Sequence, residues 1–144
     1  MSTAWNTLRW VYASYYLLAG IALYLSILGL IPGLGEIDFG KGINGLLAAM
    51  AQTGFALGAL GATYAISGLL MLNNKTAHLG IITLAPAVLM IFLTHWFAEG
   101  GYPPWGSLHF LILLALAWRY RLAYAPLFDF SGDFQKKTNS LVSL

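Results

Sequence analysis

Four long windows free of charge constrain this chain more than any motif it carries: residues 10–35, 42–74, 76–98 and 100–118, of 26, 33, 23 and 19 residues. A helix rising 1.5 Å per residue crosses about 30 Å of hydrocarbon with about 20 apolar residues. Each window is therefore long enough for one crossing, and four crossings consume nearly all of the 144 residues. Charged residues make up 8% of the chain, against roughly 25% in soluble domains, so no separate soluble domain fits. The pattern predicts an all-α fold, an integral membrane antiparallel four-helix bundle over residues 1–124, followed by a cytoplasmic tail over 125–144. The spans fall at about 10–31, 53–72, 77–97 and 104–122.

With four spans, the head, the middle loop and the tail share one side of the membrane. That side holds Arg9, Lys75, Arg119, Arg121, Lys136 and Lys137, and the other holds only Lys41. The positive-inside rule then places both termini in the cytoplasm. The same scatter of cations at helix ends argues against a nucleic-acid partner, which would call for a basic stripe. The absence of cysteine excludes disulfides, thiolate metal sites, iron–sulfur clusters and thiol catalysis.

Punctuation between the windows is clear. The first apolar run continues from Trp10 past Leu30 without a small-x-small cleavage site, which identifies it as a retained span and not a signal peptide. Pro32, Gly33 and Gly35 are expected to stop that helix. The second window exceeds one crossing, so its first part, Ile43 to Gln52, either lies along the interface or extends the helix beyond the hydrocarbon. Asn73, Asn74 and Lys75 form a polar turn, Pro86 sits within the third span, and Pro103-Pro104-Trp105 opens the fourth.

Few residues carry chemistry. Gly54, Gly58, Gly61, Ala65 and Gly68 recur every three or four positions, a small-residue face suited to close packing within the bundle or against a partner helix. Tyr64 near mid-span needs an acceptor for its phenol, and Tyr24 is its counterpart in depth. His95 and His109 both fall in the outer third of the membrane. With Glu99 and Tyr102 in the connecting loop, they outline an outward polar pocket able to exchange protons with a quinol. The plainer role for each imidazole is a hydrogen bond to a loop carbonyl or to water. The same pocket could ligate a metal; no metal site is assigned and no cofactor is assured, quinone being the candidate. Trp10, Trp96, Trp105, Trp118, Arg119 and Arg121 sit where interface anchors belong, with the guanidinium groups reaching lipid phosphate.

The segments Gly45-Leu46-Leu47-Ala48-Ala49, Thr53-Gly54-Phe55, Leu60-Gly61-Ala62 and Ser67-Gly68-Leu69-Leu70-Met71-Leu72, with Ala85-Pro86 and His95-Trp96-Phe97 after them, resemble the DoxX-like family of small four-helix membrane proteins. The likeness covers roughly residues 9–122. It implies a compact bundle in the bacterial inner (cytoplasmic) membrane, associated with membrane oxidoreductase systems. Tyr64 stands where many relatives carry an acidic residue, and the basic residue that often comes after the first-span glycine in relatives is absent after Gly20. Those departures favour an accessory or scaffold subunit of a larger electron-transfer complex, whose partners are the lipid bilayer and other membrane subunits. The alternatives are a quinone-reactive oxidoreductase component using the outer histidine site and a small transporter.

Overall fold

The computed structural model describes residues 3–31, 38, 41–98 and 104–128, and among them every regular element is helical. Helix α1 spans Thr3–Ile27, α2 Lys41–Gln52, α3 Ala56–Leu72, α4 Ala77–Ala98, α5 Trp105–Arg119 and α6 Arg121–Tyr124, with a 3₁₀ turn at Ala125–Phe128. Two of these, α1 and α4, are long and apolar enough to cross a membrane, and a third crossing exists if α2 and α3 count as one bent span. At 15 residues, α5 reaches only about 22 Å, short of a full hydrocarbon crossing by itself.

The stop after the first span comes earlier than Pro32. Gly29 takes φ +70°, and Leu30 N–H donates to Leu25 O at 2.9 Å, the six-to-one bond that closes a helix around a left-handed residue. Gly29 therefore ends α1 before the proline and glycine cluster, which lies outside the described residues.

A second left-handed glycine breaks the long second window. Between α2 and α3 the axis turns by 111°, which overturns a straight extension of one helix through Gln52. Gly54 sits in the break with φ +76°, and the Thr53 hydroxyl accepts the Ala56 N–H at 2.9 Å to start α3. Nothing lies within 4 Å of a Cβ built at Gly54, so the demand for glycine there is conformational only. Gly54→Ala is expected to lower stability by about 1 kcal/mol, read as a lower thermal midpoint in detergent. An unchanged midpoint would mean that the bend tolerates an ordinary backbone.

Consecutive long helices pack antiparallel. Tyr24 and Gly20 of α1 meet Gly58 and Gly61 of α3, and His95 and Phe92 of α4 meet Gly106 and Phe110 of α5. Between α3 and α4, the Asn73 side chain accepts the Lys75 N–H at 3.0 Å and the Thr76 hydroxyl donates to Leu70 O at 2.7 Å. Met71, Ile81, Leu84 and Val88 fill the α3–α4 side of the core. Leucine, isoleucine and tryptophan side chains cover the outside, among them Leu18, Ile66, Leu69 and Leu111. That inversion of the usual surface suits contact with lipid.

One end of the molecule gathers the cations. Arg9 Nη1 donates to the Tyr120 hydroxyl at 3.1 Å, and the Tyr124 hydroxyl donates to His78 O at 3.1 Å. These bonds tie the start of α1 to the C-cap of α5 and the start of α4 to α6. Burial, with Tyr120 nearby, pushes the Tyr124 phenol up to about 12, so it remains a donor across the physiological range. The opposite end carries α2, the end of α4 and the start of α5.

Candidate functional site: a tyrosine and histidine cavity

Tyr12 and Tyr16 are one helical turn apart on α1 and point the same way, toward α5. The Tyr12 hydroxyl donates to the His109 carbonyl at 2.8 Å. The Tyr16 hydroxyl lies 3.1 Å from His109 Nδ1. Three tyrosine rings surround the imidazole, with centroids 5.9 Å (Tyr12), 4.8 Å (Tyr15) and 5.6 Å (Tyr16) away. Tyr64 reaches in from α3, edge-on to Tyr16 at 5.1 Å. These rings bridge α1 to α5 by side chains, because the two helices do not pack closely backbone to backbone.

The gap they bridge is a cavity of about 1270 Å³. Its walls are mostly apolar, from Val11, Ala19 and Leu23 on α1, Leu60 on α3, Ile91 on α4 and Ile112 on α5. Over it lies α2, whose Ile43, Leu46, Leu47 and Met50 line the cavity at the i, i+3, i+4, i+7 spacing of one helix face. Lys41, Ala48 and Gln52 of the same helix are exposed. The polar contribution comes from Tyr12, Tyr15, Tyr16, Tyr64, His95 and His109, with Thr63 on α3 and the carboxylate of Asp38 also on the wall. An apolar chamber with a few convergent polar groups is the usual form of a small-molecule site.

His95 and His109 line this one cavity from α4 and α5. His95 is buried, with Nδ1 2.8 Å from Ile91 O. A carbonyl only accepts, so that nitrogen carries the proton. Gly106 permits the contact: a Cβ there would stand 2.9 Å from His95 Cγ. His109 has Nδ1 engaged by Tyr16, and its Nε2 has no partner among the described residues. Glu99 and Tyr102, expected in the same pocket, lie outside the described residues. Tyr64 lines the cavity with its hydroxyl unpartnered among the described residues, while Tyr24 donates to Gly58 O at 2.9 Å. Among the described residues no cluster of three or more metal-ligating side chains occurs.

The small-residue face serves the chain's own packing. Gly61 and Ala65 receive Gly20, and Gly68 receives Ala13 and Leu17, all on α1. Gly58 has open space beside its Cα, and Gly54 belongs to the bend and not to the packed helix. Trp10, Trp96, Trp105 and Trp118 are all exposed, as interfacial anchors would be. Arg121 stacks 4.9 Å from the Trp118 ring centre and donates to Trp118 O. Arg119 is half-buried.

Two groups are not singled out by sequence alone. Tyr12 and Tyr16 read as members of an apolar span and Arg9 as a charge in the head before it, yet Arg9 is 1% exposed inside α1. The available signal was their helical spacing: Arg9, Tyr12, Tyr16, Gly20 and Leu23 form one buried stripe. Compared with known proteins, the chain matches no family model, no curated protein and no solved structure.

Proposed function

We propose that this chain is a four-pass membrane protein, both ends inward, that holds an amphiphilic ring-headed ligand of the quinone class in the tyrosine and histidine cavity. The observation that carries the reading is the chamber of about 1270 Å³ whose apolar walls converge on His109 within its tyrosine cage. The donor set fits such a ligand. A quinone carbonyl accepts hydrogen bonds and a quinol hydroxyl donates one, and imidazole and phenol supply both functions. The aromatic rings offer faces and edges to a flat headgroup, while Leu23, Leu46 and Leu60 suit an isoprenoid tail. A bound quinone would supply two-electron, two-proton chemistry. The chain's part is to exclude water, orient the headgroup and hold a proton at His109 through the Tyr16 bond.

Orientation is supported by the gathering of Arg9, Lys75, Arg119 and Arg121 at one end. Placement beside an oxidoreductase assembly of a bacterial inner membrane, which the DoxX-like resemblance implies, accords with a quinone carrier. The glycine face gives no added support for a docked partner, since α1 occupies its buried part.

Titration of a decyl-tailed benzoquinone into the purified chain in nanodiscs, followed by quenching of tryptophan emission, tests this reading; Trp105 lines the cavity. Saturation at one ligand per chain, with decane failing to compete, is the expected result. Quenching that rises linearly with membrane concentration of the quinone, without saturation, would overturn it.

A further inference from the structure

We infer that the recess at the basic end of the molecule, between the start of α1 and the α3–α4 turn, is a binding site for a phosphate oxyanion. The inference is independent of what fills the tyrosine and histidine cavity.

Arg9 supplies the first reason. Its guanidinium is always protonated and offers five N–H donors, but only one of them is used, by Tyr120. Nε is buried with no partner, and no carboxylate pairs with the group among the described residues. A buried charge without a counter-charge is expensive, and such groups are ordinarily paired or neutralised. Arginine cannot lose its proton, so among the described residues the group lacks a counter-charge that an anion would supply.

The surroundings supply the second. Arg9 lines a recess of about 790 Å³ together with Trp10, Leu69, Asn74, Lys75 and Thr76. Lys75 adds an exposed ammonium, Asn74 an exposed amide, and among the described residues no acidic side chain contributes to the wall. Two cations and an amide around one hollow call for an acceptor-rich anion of more than one oxygen, which is the chemistry of phosphate. The recess also includes Trp10 and Leu69, 52% and 62% exposed, which give it an apolar edge. The phosphate thus has two sources, the headgroup of a glycerophospholipid or a soluble phosphate species.

Native mass spectrometry of the full chain, released from vesicles of dioleoyl phosphatidylglycerol or from micelles doped with dioleoylglycerol, tests the site. One phosphatidylglycerol per chain should be retained and dioleoylglycerol should not. Lys75→Gln should weaken retention about fivefold, Arg9→Gln by more than tenfold, and Arg9→Lys by less than Arg9→Gln. Circular dichroism accompanies each variant. If Arg9→Gln loses its helical signal, Lys75→Gln decides the matter, because its side chain is exposed. A thermal scan of delipidated protein with inorganic phosphate separates the sources. A raised midpoint that Lys75→Gln abolishes assigns the site to soluble phosphate. Retention of phosphatidylglycerol alone assigns it to the lipid headgroup. Equal retention of the two lipids with no response to inorganic phosphate, or lipid and phosphate binding untouched by Lys75→Gln, overturns the inference.

Discussion

Gly68→Val is expected to leave little folded protein. A Cβ at Gly68 would stand 2.6 Å from Leu17 N, 2.7 Å from Ala13 O and 2.9 Å from Leu17 Cα. All three are backbone atoms of α1, so no side-chain rotation can relieve the clash, and the helices must separate. Among the described residues the pair α1–α3 is the most extensive helix contact, and in lipid such a contact depends on close dispersion packing without help from water. Overpacking a tight core commonly costs about 1–3 kcal/mol; with two backbones opposed, the loss should lie at or above the top of that range. Gly58→Ala provides the contrast. It lies on the same helix with nothing within 4 Å of the added Cβ, and alanine is the better helix former by up to about 1 kcal/mol, so its midpoint should hold or rise. Thermal unfolding followed by circular dichroism compares the two. Equal stability for Gly68→Val and the parent chain would show that α1 and α3 do not pack as described.

The second large effect is on the ligand. His109→Ala should weaken quinone binding roughly tenfold to hundredfold, the range for losing a hydrogen bond in a dry site. It also leaves the Tyr16 hydroxyl, 1% exposed at the residue level, without its imidazole partner, so a stability loss of about 1–3 kcal/mol should accompany it. The Tyr12 bond survives because it ends on the His109 backbone carbonyl. Tyr16→Phe keeps the ring contacts with Tyr12 and Tyr64 and removes only the hydroxyl that holds Nδ1, so it should weaken binding less than His109→Ala. In the double variant the two losses should be less than additive, since Tyr16 acts through His109. Binding by fluorescence quenching, normalised to folded protein, reads all three. Parent-like affinity in His109→Ala would remove the imidazole from the site.

Hydropathy alone locates most helices here, because a window without charge and an apolar helix are nearly the same statement in lipid. The stretch from Ala77 to Phe97 and the helix Ala77–Ala98 almost coincide, with Asn73-Asn74-Lys75 turning the chain before them. Where the sequence reading stopped short, one residue type was open to two uses. Gly54 keeps the small-residue spacing of Gly58 and Gly61, yet its role is the left-handed bend, and spacing cannot separate a packing glycine from a hinge glycine. Tyr12 and Tyr16 count as apolar in any hydropathy sum, which hides two hydroxyls aimed at His109. The histidine pair was visible as rare imidazole in a span. What surrounded it depended on which helices are neighbours, and that is a tertiary fact. Arg9 looked like an ordinary flanking cation because α1 begins at Thr3, six residues before it.

Helix α2 has no fully buried residue, and the four aliphatic side chains on its inner face all border the chamber. That face is apolar area which the tail of the proposed ligand would also cover. Occupancy and attachment of this roof are then coupled by mass action. Filling the chamber tightens the roof, and a solvent that peels the roof away empties the chamber. If the proposed ligand is bound, extraction in harsh detergent should release it before the spans lose their helicity.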